Sequence, residues 1–158
     1  MQFCRKCIMP ITRPEQVFDA EGVCDACNSV ARKRDIDWSQ RAAEFEAILA
    51  RYRGDGARWD CIIPVSGGKD SCYQALTMRD KYGMKPLCVN HVPCEMTEVG
   101  QKNLIFLRDQ GFDLIQLGGN RKAYRQLVDI GFRKLGDCCW PEHIGIFTAE
   151  KKPDERFV

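Results

Sequence analysis

Short apolar runs alternate with amphipathic ones between residues 60 and 135, and a glycine follows each amphipathic run. The pattern predicts strand 60–65, helix 70–82 ending at Gly83, strand 86–92, helix 97–110 ending at Gly111, and strand 112–117. A last helix over 121–135 has Asn120 as its N-cap and Gly136 just past its end. Glycine takes the left-handed conformation after a helix without penalty, and an asparagine side chain accepts from free N–H groups at a helix start. Strand and helix in strict alternation imply a parallel sheet with right-handed crossovers, so the expected fold class is α/β. Such sheets bind ligands at the carboxyl ends of their strands. Upstream, Phe45, Ile48, Leu49 and Tyr52 recur at the spacing of one helical face, which predicts an amphipathic helix over 38–53 closed by Gly54, then a loop over 55–59.

At the carboxyl end of the first predicted strand stands Ser66-Gly67-Gly68-Lys69-Asp70-Ser71. Adjacent glycines let backbone N–H groups approach a ligand closely, and the helix that follows adds its positive N-terminal end, so the turn suits a phosphate. Lys69 supplies a mobile full charge, Ser66 and Ser71 supply hydroxyls, and Asp70 suits a magnesium ion or a helix cap. The plainer alternative is a strand-to-helix turn with an N-cap. The spacing is not the Gly-x4-Gly-Lys-Ser/Thr of the common nucleotide-binding loop.

Residues 1–36 have another texture, rich in turn formers and with little apolar periodicity. Cys4-x2-Cys7 and Cys24-x2-Cys27 have the spacing of a tetrahedral thiolate zinc site. Four protein ligands leave the metal no open position, so its role would be structural, supplying folding energy that the segment lacks. An iron–sulfur cluster and redox thiols are the competing readings. The expected organisation is a zinc module over 1–36 and an α/β domain over 37–158.

No apolar run approaches the ~18 residues of a membrane span, and the N-terminus lacks a signal-peptide core, so a cytoplasmic protein with reduced thiols is expected. A net charge of +2 gives no electrostatic case for nucleic acid. Arg32-Lys33-Arg34 reads as a solvated face. Of the remaining cysteines, Cys61, Cys72 and Cys88 read as small core residues. Cys94, Cys138 and Cys139 lie where they could reach a site, but adjacent cysteines are poorly placed to chelate one metal, so packing or loop roles are favoured.

SGGKDS resembles the PP-loop of ATP pyrophosphatases. Together with "CRKCIMP", "FDAEGVCDAC", "WDCIIPVSGGKDSCYQA", "TEVGQKNL" and "GDCCWPEHIGIFT", it makes the chain resemble the N-acetyl sugar amidotransferase family of the PP-loop superfamily along essentially its whole length. The resemblance implies a Rossmann-like fold of the adenine nucleotide alpha hydrolase kind, with ATP, Mg2+ and Zn2+ as cofactors. It further implies conversion of the acetamido group of a nucleotide-linked N-acetyl sugar to acetamidino, in lipopolysaccharide or flagellin-glycan biosynthesis. Ammonia would come from a glutaminase subunit and its cyclase-like companion. Ser66, Gly67, Gly68, Lys69, Asp70 and Ser71 would then bind the ATP phosphates and magnesium, and Lys69, Asp70 and His143 would be catalytic. Thr97, Gly100, Asn103, Trp140 and His143 would border the nucleotide or sugar, with Trp140, Pro141 and His143 in a loop at the sugar end. His91 is the weaker histidine candidate.

Members of that family are longer, with strand order 3-2-1-4-5. The chain is therefore expected to carry an incomplete sheet whose first strand is an open edge, followed by a charged tail without a strand. Two alternatives are a tRNA-thiolating PP-loop enzyme and an inactive remnant that binds ATP or a partner.

Overall fold

The computed structural model describes residues 2–12, 14–54, 58–93 and 95–157, the stretch 150–157 through its backbone alone. Cys94 and most of the loop predicted over 55–59 lie outside the described residues. The chain forms two compact units, residues 1–45 and 46–158, with the boundary inside the helix α2 introduced below.

The first unit carries α1 (Asp25–Arg32), a 3-10 turn (Lys33–Asp35) and the start of α2 (Trp38–Tyr52). Sequence periodicity does not reveal α1. Its N-cap is a cysteine, Cys24, whose sulfur accepts from the Cys27 N–H, in place of the usual oxygen-bearing cap. Single bridges join Phe3 to Pro10 and Phe18 to Cys24. The buried residues are Cys4, Val23 and Cys24, with Cys7, Met9, Phe18 and Cys27 packed around them. Arg32, Lys33 and Arg34 are exposed, as a solvated face requires. Helix α2 matches the prediction in extent, but Leu49 is its buried residue, while Phe45, Ile48 and Tyr52 are exposed.

The second unit runs β1 (Cys61–Pro64), α3 (Lys69–Asp80), β2 (Pro86–His91), α4 (Glu98–Asp109), β3 (Asp113–Leu117), α5 (Arg121–Leu135) and α6 (Trp140–Phe157). The three strands form one parallel sheet in the order β1-β2-β3, with Ile63 opposite Cys88 and Val89 opposite Ile115. Within this sheet β1 is an edge, and its exposed Pro64 suits a position where a ladder N–H is dispensable. β2 is buried on both faces. On one face Cys88 joins Ile63, Val65, Ala75, Leu104, Leu107 and Phe112. On the other, Leu87 and Val89 pack with Ala149 of α6. Fully burying a side chain such as Leu87 or Leu107 contributes about 1.5–3 kcal/mol relative to leaving it exposed. Cys61, Cys72 and Cys88 belong to the first of these clusters, and burial pushes the Cys88 thiol up to about 11, so it packs as an inert apolar group. Asn120 caps α5 by accepting from the N–H groups of Lys122 and Ala123 at 2.9 and 3.1 Å, and Gly136 ends that helix at φ 71°, both as predicted.

The largest correction concerns the last helix. The loop expected at Trp140, Pro141 and His143 is replaced by the first turn of a helix, α6, which packs on β2 and β1 and runs on into the charged tail, where no strand was expected. Pro141 falls in its first turn, where the missing N–H has no intrahelical partner to lose. Gly145 lets α6 approach β2 closely: a Cβ there would overlap the His91 ring, with Cδ2 only 2.9 Å away. Gly145→Ala should therefore lower the melting temperature, at a cost of about 1–3 kcal/mol, although alanine is the better helix former. A rise in melting temperature would show that α6 does not rest on His91. Among the described residues no helix is long and apolar enough to cross a membrane.

Candidate functional site

β1 delivers the chain into Val65, which is buried, and then into the turn Ser66–Gly68. The turn is tied to itself through serine hydroxyls. The Ser66 N–H donates to Ser71 Oγ (3.4 Å), the Gly68 N–H to Ser66 Oγ (3.4 Å), and Ser71 Oγ to the Gly68 carbonyl (3.1 Å). Helix α3 begins at Lys69 with Gly68 as N-cap, and no side chain caps it. Its first N–H groups therefore face outward with the helix's positive end, an arrangement suited to an anion. Lys69 Nζ pairs with Asp70 Oδ1 at 2.6 Å, but both side chains are more than four-fifths exposed, so water screens the pair and Lys69 can leave it for a phosphate at little cost.

Two asparagines hold the turn from beneath. Asn103 Nδ2 donates to the Gly67 carbonyl at 2.7 Å, and Asn90 Nδ2, on a side chain only 1 % exposed, donates to the Val65 carbonyl at 2.7 Å. Gln116 Nε2 donates in turn to Asn90 Oδ1 at 3.2 Å, which fixes the Asn90 amide. Gly67 lies at φ 76° with its backbone against Gly100 of α4. Thr97 caps α4 by accepting from the Gly100 N–H at 3.1 Å. The segment Thr97–Asn103 thus supports the turn, and Thr97 and Gly100 also line the neighbouring cavity.

That cavity, of about 390 Å³, opens at the carboxyl ends of β1 and β2, and its walls include Ser66, Asn90, His91, Thr97, Gly100 and Glu142. Its size is that of a small-molecule site. α6 provides one wall, through Glu142, Ile146 and Ala149. His143 and Trp140 are exposed and are not among the cavity's lining residues; His143 sits one residue past Glu142, its N–H bonded to the Cys139 carbonyl at 3.1 Å. His91, the weaker candidate by sequence, does line the cavity, and its Nδ1 is buried without a hydrogen-bond partner. Asn90 and Glu142 escaped the sequence reading. An asparagine inside the apolar strand PLCVNH was the available signal for the first, and Glu142 carried none. Cys138 and Cys139 are exposed with sulfurs 3.9 Å apart, and hydrogen bonding to Cys138 holds the Cys139 thiol above its ordinary pKa.

The four N-terminal cysteines converge. Their sulfurs all lie within 4.8 Å of one another, with Cys7 to Cys24 at 3.7 Å and Cys4 to Cys27 at 4.0 Å. A tetrahedral zinc thiolate site with Zn–S of about 2.3 Å has sulfur–sulfur edges of about 3.8 Å, so the cluster fits such an ion. Two tight turns bring the pairs together, closed by Cys4 N–H to Met9 carbonyl (2.9 Å) and Asp19 N–H to Val23 carbonyl (3.0 Å). N–H groups of Lys6 and Cys24 donate to Cys4 Sγ at 3.3 and 3.2 Å. Burial pushes the Cys4 thiol up, but the hydrogen bonds from the Cys24, Cys7 and Lys6 backbone outweigh it and bring the thiol down to about 6. Cys27, crowded by the Cys7 and Cys24 thiols, is pushed up to about 12. The cluster thus favours a first thiolate and resists further ones, a conflict that a bound cation relieves. The group could hold a metal such as zinc.

No protein-family model matches the chain. Over 88 residues it is 28% identical to an uncharacterized protein of Methanocaldococcus jannaschii, an alignment covering 54% of this chain and 31% of that protein. The chain thus matches about a third of the relative's length.

Proposed function

We propose that the second unit binds ATP on the turn Ser66–Ser71 and adenylates the amide oxygen of an N-acetyl sugar. The observation that carries the ATP part is the uncapped start of α3, held by Asn103 and Asn90 beside a 390 Å³ cavity. Resemblance of the motif segments supplies the acceptor, a nucleotide-linked N-acetyl sugar of cell-surface glycan synthesis, and the ammonia source, a partner glutaminase with its cyclase-like companion. The proposed setting is the cytoplasm.

In this scheme the acetamido oxygen bonds to the α-phosphorus as the bond to the β-phosphate oxygen breaks, and pyrophosphate leaves. Ammonia then bonds to the imidate carbon, the carbon–oxygen bond breaks, and AMP departs with the oxygen. Lys69 stabilises charge on the departing pyrophosphate, and Ser66, Gly67, Gly68 and Ser71 orient the phosphates. Asp70 is the carboxylate on the turn that suits Mg2+, whose chemistry would be charge neutralisation on the phosphates. Cavity-lining His91 and Glu142 are placed to meet the acceptor, and His143 would serve only if the first turn of α6 rearranged. Zn2+ held by Cys4, Cys7, Cys24 and Cys27 has no open position and keeps the first unit folded.

The test is pyrophosphate release from ATP with ammonia and a panel of nucleotide-linked N-acetyl sugars, with mass spectrometry of the sugar for exchange of oxygen for NH. Release that depends on one sugar and is lost in Lys69→Ala is expected. ATP binding without release across the panel would sink the acceptor assignment, as would tight, salt-sensitive tRNA binding. Asn103→Ala should weaken ATP binding about tenfold, because the Gly67 carbonyl loses its donor and the turn its fixed orientation. Unchanged affinity by calorimetry would mean that the asparagine does not position the turn.

A further inference from the structure

A second cavity, of about 400 Å³, adjoins the first, and Pro93, Glu95 and Met96 line both. Gln101 and Arg108 of α4, Leu114 and Gln116 of β3, and Arg121 of α5 form its other walls. A hollow of about 240 Å³ at the carboxyl end of β3 adjoins it and shares Val92, Pro93 and Arg121 with it. Gly118, Gly119 and Tyr124 complete that hollow. Arg125 borders a further recess together with Arg121 and Glu95. Arg108 and Arg121 thus line the second cavity together with Glu95, and Arg125 lines the recess beside it. The carboxamides of Gln101 and Gln116 add donors and acceptors, and Leu114 adds an apolar floor.

The glycines at 118 and 119 have no packing explanation. A Cβ at Gly119 would meet nothing within 4 Å, one at Gly118 would touch only Val92 Cβ at 3.9 Å, and neither residue has a positive φ. Neither crowding nor backbone conformation calls for glycine here, whereas keeping the hollow open does. Gln116 also links the two sites physically, since it lines the second cavity and donates to Asn90, which lines the first.

We propose that this groove binds an organic diphosphate ester, with Arg108 and Arg121 on the phosphates and Gln101 and Gln116 on hydroxyl groups. Guanidinium groups match phosphate oxygens in bidentate geometry, and Arg108 and Arg121 both line the cavity. Identifying the ester as the acceptor of the adenylation reaction rests on the function proposed above. The diphosphate would then lie in this groove, and the N-acetyl end of the ester would have to reach past Pro93, Glu95 and Met96 into the first cavity to meet ATP.

UDP is the probe, measured by calorimetry on the whole chain. Binding should weaken about tenfold or more in Arg108→Ala and in Arg121→Ala, with partial recovery in the lysine variants. Gly119→Leu, which fills the hollow without meeting a neighbour at its Cβ, should weaken it as well while keeping the melting temperature. Lys69→Ala should leave UDP binding unchanged and weaken ATP binding. Absence of UDP binding overturns the proposal, and so does UDP binding that is lost in Lys69→Ala but kept in both arginine variants and Gly119→Leu. If UDP binds as described but no sugar is amidinated, the groove stands and the amidotransferase reading falls.

Discussion

Cys24→Ser is expected to empty the metal site and unfold the first unit. Cys24 is fully buried, its sulfur accepts from the Cys27 N–H and contacts Cys7 Sγ, and its own N–H donates to Cys4 Sγ. The unit has little else to fold around, since Val23 is the buried apolar residue beside Cys4 and Cys24. Segments of this size without a core depend on a staple, and a structural zinc site supplies about 10–16 kcal/mol at neutral pH. Serine offers a poorer ligand and loses most of that. Metal analysis should fall from one equivalent to none, and amide dispersion in NMR spectra should collapse for residues 2–45 while the resonances of the second unit persist. A variant that holds no metal yet keeps its dispersion would show that the unit folds by packing alone.

Acid should act in the same direction. The Cys4 thiol is depressed from its ordinary 9.0 to about 6 in the folded unit, so its contribution is fully present above pH 9 and fades as pH falls toward 6. Protons also compete directly with the metal for sulfur. Metal release measured with a chromophoric chelator should therefore steepen as pH falls through about 6, and a release curve flat from pH 8 to 5 would exclude thiolate ligation.

What the sequence disclosed follows from how local each signal is. The cysteine cluster was legible because two Cys-x2-Cys turns carry their geometry within four residues each. The strands, and the helices between them, were legible because Asn120, Gly83, Gly111 and Gly136 mark element ends through backbone chemistry that needs no partner. Helix α6 was not legible: Trp140, Pro141 and His143 were expected in a loop, and only the contact of Gly145 with His91, more than fifty residues away in sequence, explains why a glycine belongs in the helix. α1 was missed because its cap is a cysteine that belongs to the four-cysteine cluster. The turn Ser66–Ser71 could be read from its own residues, but its supports could not. Asn90, Asn103 and Gln116 come from two strands and a helix, and only in the folded chain do Asn90 and Asn103 reach carbonyls at the turn and Gln116 reach Asn90.

Gly67→Ala should be the most damaging single methyl group that can be added to the second unit. At φ 76° an alanine pays about 1–2 kcal/mol for the left-handed conformation alone. Its Cβ would also overlap the Gly100 carbonyl oxygen and come within 2.9 Å of the Gly100 carbonyl carbon and 3.0 Å of its Cα. Those are backbone atoms in the first turn of α4, fixed by the Thr97 cap, so they cannot swing aside as a side chain would. Either the start of α4 shifts or the turn flips, and each breaks the bond from Asn103 to the Gly67 carbonyl. A loss of about 2–4 kcal/mol in denaturant unfolding is expected, together with loss of ATP binding. Gly68→Ala provides the contrast. Its φ is ordinary and the nearest atom to an added Cβ is Ser66 Oγ at 3.3 Å, a hydroxyl that can rotate. That variant should cost less than about 1 kcal/mol, so equal stability of the two would show that the turn does not press on α4.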